Sequence, residues 1–217
     1  MSFKKDNYIV IKEAIDPKIA NFVYRYFLLK RSVARTMFDT KFISPFTEYM
    51  GVWNDEQVPE TYSHYADIAM ETLLKEVMPI MEKETDLKLI PTYSYARIYK
   101  KGDILHRHKD RFSCEISTTL NLGGDEWPIY IEAKENVGIP DKGFPAITEN
   151  KGSKVVLNPG DMLVYKGNLC EHWRESFEGE KCGQVFLHYN NAATPGAEDN
   201  RNDKRIHLGL PSWFKKT

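Results

Sequence analysis

The stretch His106-Arg107-His108-Lys109-Asp110 contains a histidine and an aspartate two positions apart, directly after a predicted β-strand. In extended backbone, side chains two positions apart point to the same face. The imidazole of His108 and the carboxylate of Asp110 can therefore converge on a single metal ion. A His-x-Asp pair also occurs often by chance, so its meaning depends on what the rest of the chain supplies.

His172 is the best candidate for a third ligand, because it lies in a later predicted strand that can face the first one in a barrel. Two histidines and one carboxylate form the facial triad typical of non-heme Fe(II) oxygenases, which leaves the opposite positions of the metal open. A single histidine is more often structural than metal-binding. The combination of His108, Asp110 and His172, in this order and in a β-rich region, nevertheless indicates a metal site.

The first 88 residues are predicted to be mainly helical, after a short strand at 8–12. Asp16 and Pro17 provide an N-cap and a first helical residue. Apolar residues then recur at helical spacing, namely Ile19, Phe22, Val23, Tyr26 and Phe27. A second helix is predicted to open near Pro59, and its apolar stripe comprises Tyr65, Ile68, Ala69, Leu73, Val77, Ile80 and Met81. We expect both helices to cover one face of a sheet.

After residue 88 the apolar period changes from 3.6 to 2, which predicts strands. The predicted strands span 92–99, 115–122, 128–133, 154–157, 162–165, 171–177 and 184–189, and residues 134–153 form a predicted long loop. Helices followed by many short strands indicate an α+β fold built on a double-stranded β-helix, or jelly roll. We expect one domain over 1–217, with helical support at 1–88, a jelly-roll core at 89–190 and a C-terminal tail at 191–217.

The composition excludes several classes of partner. Lysine and arginine number 30 and aspartate and glutamate 31, so the chain has no net charge that would favour nucleic acid. No apolar run is long enough for a signal peptide or a membrane span. The sequence therefore predicts a cytoplasmic protein without a membrane partner. Cys114, Cys170 and Cys182 match no zinc or redox spacing and are expected to be buried, reduced side chains.

Further candidate site residues lie near the predicted ligands. Lys181 follows His172 after a turn, where its cation could bind a carboxylate across the same cavity. Arg97 alternates with tyrosines on a predicted strand and either faces the barrel interior or lies on an exposed sheet face. His106 is interpreted as a surface or neighbouring residue. His188 is less suitable than His172 as the distal ligand, because no basic residue follows it nine or ten positions later.

Residues 89–190 resemble the prolyl 4-hydroxylase-like branch of the Fe(II)/2-oxoglutarate-dependent dioxygenases. The motif of that family is carried here by Tyr99 and Gly102, His108 and Asp110, Pro159-Gly160-Asp161, His172, and Lys181 nine positions after His172. The resemblance implies that His108, Asp110 and His172 bind Fe(II). It also implies that Lys181 pairs with the distal carboxylate of 2-oxoglutarate and that Tyr99 lines the cosubstrate pocket.

The same resemblance implies an activity. With O2, and with ascorbate as reductant, such an enzyme hydroxylates a C–H bond and converts 2-oxoglutarate to succinate and CO2. Proline in a peptide or protein is the expected substrate, and Arg174 and Arg97 are candidate substrate-binding residues. The sequence departs from the family at Leu105, where many members have a tyrosine, and at Trp173-Arg174 after the distal histidine. A free amino acid or other small molecule remains an alternative substrate, and a non-catalytic cupin-like binding domain is an alternative of another class.

Overall fold

The computed structural model describes residues 2–44, 47–133 and 152–215. Its helices are α1 (Phe3–Asp6), α2 (Pro17–Asp39), α3 (Ile68–Glu76) and α4 (Met78–Thr85). Its strands are β1 (Tyr8–Ile11), β2 (Tyr62–Tyr65), β3 (Leu89–Lys100), β4 (Leu105–His108), β5 (Ile116–Gly124), β6 (Ile129–Glu132), β7 (Ser153–Val155), β8 (Met162–Lys166), β9 (Glu171–Arg174) and β10 (Lys181–Asn191). These elements confirm the α+β class. Most of the predicted long loop, residues 134–151, lies outside the described residues.

The strands form two antiparallel sheets. The larger has the order β1-β8-β5-β10-β3-β2 and the smaller the order β4-β9-β6-β7. In the larger sheet Tyr95 pairs with Phe186, and Phe186 with Thr119, so these three side chains share one face. We call this the cavity face. The opposite face carries Leu120, Val185 and their neighbours, and we call it the helix face.

Helix α2 covers the helix face. Asp16 caps it by accepting a hydrogen bond from the Lys18 amide at 2.7 Å, and Pro17 occupies its first turn, both as predicted. Val23 and Phe27 point inward into a core cluster that also contains Leu120 and Val185. The amphipathic pattern thus predicted the helix and its contact with the sheet, but Ile19 and Phe22, which were expected on the core face, are 51% and 66% exposed.

The predicted second helix near Pro59 is wrong in its start and its continuity. Residues 62–65 form strand β2, and the helix begins only at Ile68, because Asp67 accepts hydrogen bonds from the amides of Ala69 and Met70. The helical stretch then divides into α3 and α4. Pro79 lies in the first turn of α4, where it lacks the amide that would continue the α3 ladder.

The C-terminal segment docks on the body through two buried carboxylates. Arg205 forms an ion pair with Glu71 at 2.7 Å. Asp203 accepts hydrogen bonds from Tyr65, Arg111 and Ser113. Burial raises the pKa of Asp203, but the bonds and charge of these donors, Arg111 above all, outweigh it and lower the pKa to about 2.

The three cysteines are free and buried, in agreement with the sequence interpretation. Within the described residues, no helix is both long and apolar enough to cross a membrane.

We expect Phe27→Ala to lower the free energy of unfolding by about 3–5 kcal/mol, because it empties a fully buried site between α2 and the sheet. Phe22→Ala on the same helix is the matched control. Phe22 is 66% exposed, so its replacement should change the free energy of unfolding by less than about 0.5 kcal/mol. Urea unfolding of both variants tests this, and equal losses would contradict the packing of α2.

Asp203→Asn should destabilise the protein in a pH-dependent way. The folded pKa of Asp203 lies below the unfolded value of about 3.9. Its stabilisation is therefore present above about pH 4 and is lost as the pH falls towards 2. The difference in unfolding free energy from wild type should be about 1–3 kcal/mol at pH 7 and clearly smaller at pH 3. Asp199→Asn, at an exposed position in the same segment, is the control; a pH-independent difference would refute the prediction.

Candidate metal centre

The three predicted ligands lie together at the open edge of the smaller sheet. Strand β4 pairs with β9 so that His108 lies directly opposite His172. Asp110 follows β4, and its Oδ1 is 3.6 Å from His108 Nε2 and 3.5 Å from His172 Nε2. The three ligand atoms lie within 4.8 Å of one another. The separations of 3.5 and 3.6 Å lie below the roughly 4.4 Å that two donors of one metal ion at about 2.2 Å can span.

Both imidazoles are oriented by the backbone. His108 Nδ1 lies 2.7 Å from the carbonyl oxygen of His106, and His172 Nδ1 lies 3.2 Å from that of Cys170. In each ring Nδ1–H can donate to this carbonyl, which leaves the lone pair of Nε2 directed towards Asp110. Such contacts to the second nitrogen fix the tautomer that a metal-binding histidine needs.

The protonation states also suit metal binding. Burial lowers the pKa of His172 to about 4, and the neighbouring His108 acts in the same direction, so the ring is neutral at pH 7. Burial alone would raise the pKa of Asp110, but His172 and His108 outweigh it and lower the pKa. The centre therefore offers the neutral imidazole of His172 and the carboxylate of Asp110, next to the imidazole of His108.

Asp110 is held by its surroundings at both backbone and side chain. Its amide donates to the carbonyl of Gly167 at 2.9 Å, and its Oδ2 accepts from the Ser117 hydroxyl at 2.8 Å. A Cβ atom at position 167 would lie 2.5 Å from that same Oδ2. The close approach of β8 and Asp110 thus requires a glycine at 167.

A cavity of about 440 Å³ opens beside the triad. The cavity face of the larger sheet supplies an aromatic wall made of Tyr93, Tyr95, Tyr165 and Phe186. His188 lies on the same wall, 3.0 Å from Ser117 Oγ. It forms a second group of potential donors with Asp110 and Cys114. His188 therefore lies next to the candidate metal centre. The sequence analysis ranked it below His172 as a ligand and did not predict this position.

Two residues that the sequence analysis missed close the cavity from the N-terminal side. Asp55 forms an ion pair with Arg97 and accepts a hydrogen bond from Tyr95. Gln57 accepts from Arg97 at 3.2 Å, and its amide nitrogen is 3.2 Å from His108 Nε2. Both lie in a segment without periodicity, so no sequence signal marked them. Arg97 faces the cavity side of the sheet, which resolves the alternative left open by its alternation with tyrosines.

The lining of this cavity does not include three other predicted site residues, Lys181, Tyr99 and Arg174. Lys181 is exposed at the start of β10, and its neighbour Cys182 points to the cavity face with Gln184 and Phe186. Since side chains alternate along a strand, Lys181 points to the opposite face and away from the triad. Tyr99 is fully buried, with its ring 4.6 Å from that of Trp127. Arg174 is buried two positions after His172, on the same face of β9.

Comparisons with known proteins find similarity at the level of structure. No family model and no curated protein matches the sequence. The 2-oxoglutarate-dependent epimerase SnoN of nogalamycin biosynthesis superposes with a TM-score of 0.64 at 12% identity, covering 99% of this chain and 92% of SnoN. HygX from Streptomyces hygroscopicus, with nickel and 2-oxoglutarate bound, gives 0.56 at 14% identity, covering 88% and 85%.

A third solved structure, a prolyl-4-hydroxylase from Pseudomonas putida, gives a TM-score of 0.51 at 13% identity and covers 88% of this chain and 96% of its own. At identities this low, the structural similarity shows a common fold and does not establish a common chemistry. The chain therefore shares the fold of structures that include 2-oxoglutarate-dependent enzymes.

We expect the wild-type protein to bind one Mn(II) ion, a redox-stable probe for the centre. His172→Ala should weaken this binding at least 10–100-fold, since even the loss of a residue that only orients a ligand has an effect of about that size. His207→Ala, which removes an exposed histidine far along the chain from the ligands, is the control. Calorimetric titration measures both variants, and unchanged binding in His172→Ala would contradict the assignment.

Proposed function

We propose that the protein is an Fe(II)- and 2-oxoglutarate-dependent dioxygenase that hydroxylates a C–H bond. The observation that carries the proposal is the convergence of His108, Asp110 and His172 beside a cavity. In this proposal the two sheets form a double-stranded β-helix, and β4 and β9 present the ligands from one side only. The donor set fits Fe(II), because two imidazoles and one carboxylate leave positions open for a bidentate 2-oxo acid and for O2.

Bound iron and 2-oxoglutarate supply the oxidising power, with succinate and CO2 as co-products. The residues of this chain supply position and a screened environment. The backbone contacts of His108 and His172 keep both rings in the metal-binding tautomer, and Ser117 and Gly167 hold Asp110. The aromatic wall limits access of water to the reacting carbon.

Two substrate classes are supported by different observations. Proline in a peptide or protein is supported by the motif of Tyr99, Gly102, the triad and Pro159-Gly160-Asp161, and by the fold shared with the Pseudomonas putida prolyl-4-hydroxylase. A small molecule is supported by the fold shared with SnoN of nogalamycin biosynthesis and with HygX, which was solved with hygromycin B bound. We propose the prolyl substrate first and the small molecule as the second candidate.

The proposal predicts succinate formation from 2-oxoglutarate in the presence of Fe(II), O2 and ascorbate. Asp110→Ala should reduce the rate at least about 100-fold, because one of three ligands is lost, whereas the exposed His207→Ala variant should match wild type. A synthetic proline-rich peptide should stimulate turnover if proline is the substrate.

If the peptide does not stimulate turnover, the result would favour a small-molecule substrate over a prolyl peptide. If wild type bound the metal but made no succinate, the proposed dioxygenase activity would be refuted. A non-catalytic cupin-like binding domain would then be the remaining alternative.

A further inference from the structure

Three arginines are among the largest fully buried side chains, and two of them have carboxylate partners. Arg97 is paired with Asp55, and Arg205 is paired with Glu71. For Arg174, no aspartate or glutamate lies within ion-pair distance among residues 2–44, 47–133 and 152–215. A buried charge without a counterion is strongly unfavourable, so an unpaired buried arginine calls for an explanation.

The contacts of Arg174 satisfy only part of its hydrogen-bonding capacity. One terminal nitrogen donates to the carbonyl of Trp127, and the other donates to Thr119 Oγ1 at 3.3 Å. The guanidinium lies 5.0 Å from the centre of the Trp127 ring. Its Nε is buried and has no partner among the described residues. The side chain is thus fixed in place by neutral groups while its charge and one donor stay uncompensated.

The position of Arg174 relates it to the metal centre. It lies two residues after His172 on the same face of β9, and residues so spaced are about 6–7 Å apart along a strand. Leu105, its partner on β4, lines the cavity together with His172 and Tyr165. The guanidinium also donates to Thr119, which pairs on the cavity face with the cavity-lining Phe186.

We propose that Arg174 binds the distal carboxylate of 2-oxoglutarate, in place of Lys181. This inference rests on the proposed function, which already places a 2-oxo acid at the metal. The two carboxylates of 2-oxoglutarate are separated by a three-carbon chain, which suits the spacing between a metal ion held by His172 and a cation two residues further along β9. A planar guanidinium binds a carboxylate through two parallel hydrogen bonds, and this carboxylate supplies the missing counterion.

The alternative cation does not meet these requirements. Lys181 is exposed and points away from the cavity face, whereas Arg174 is enclosed beside it. Arg97 faces the cavity side but is already paired with Asp55. Among the described residues, Arg174 therefore combines burial, proximity to the metal ligands and an uncompensated charge.

The test compares two ligands on the Mn(II)-loaded protein by anaerobic calorimetry. 2-Oxoglutarate carries the distal carboxylate, and 2-oxopentanoate has the same chain length but ends in a methyl group. Wild type should bind 2-oxoglutarate at least about 10-fold more tightly, the size expected for a charge-assisted hydrogen bond. In Arg174→Gln that preference should fall below about 3-fold, while the affinity for 2-oxopentanoate stays nearly the same.

Lys181→Gln is the matched control, because it removes a cation that we place outside the pocket and should keep the full preference. Should Arg174→Gln fail to fold, Arg174→Lys carries the same test. It keeps the charge but not the planar fork, so its preference should be smaller than that of wild type. An unchanged preference in a folded Arg174 variant, or a lost preference in Lys181→Gln, would overturn the inference.

The outcome also separates this inference from the proposed function. If wild type binds Mn(II) but not 2-oxoglutarate, the proposed function fails and the role of Arg174 fails with it. If wild type and Arg174→Gln both prefer 2-oxoglutarate equally, the cosubstrate stands and Arg174 alone is excluded.

Discussion

The pairing of His108 with His172 across β4 and β9 is the contact on which the rest of the site depends. Because side chains alternate along a strand, a shift of one residue in this register would turn one imidazole to the other side of the sheet. The register also carries Arg174 to its position opposite Leu105. The positions of His108, His172 and the buried Arg174 therefore depend on one short pair of strands, whereas the aromatic cavity wall comes from the larger sheet.

The larger sheet divides its two faces between stability and chemistry. Its helix face is apolar and packs against α2, which supplies the core that holds the fold together. Its cavity face buries polar groups that are paired by hydrogen bonds: Ser117 with Asp110 and His188, and Thr119 with Gln184. Buried polar groups are unfavourable unless paired, so a face built this way is more consistent with a binding site than with a structural core.

The sequence predicted which three side chains meet at the candidate metal centre, because their signal is local and chemical. His108 and Asp110 are two positions apart, and His172 lies in a strand that alternation identified. The boundaries of the second helix were wrong, since the cap at Asp67 and the strand at Tyr62–Tyr65 outweighed the apolar stripe. Asp55 and Gln57 escaped notice because they act through contacts with residues about 40–50 positions away in the chain.

The sequence by itself determined the α+β class, strand β3, the strands from β5 to β10 and the three residues that converge. It could do so because periodicity and ligand spacing are properties of neighbouring residues. Only the tertiary structure decided which cations face the cavity. The family motif, with a basic residue nine positions after the distal histidine, selected Lys181. The alternation of side chains along β10 turns Lys181 outward. The burial of Arg174 depends on Thr119 in β5 and on Trp127 in the connection between β5 and β6, and no local pattern encodes such contacts.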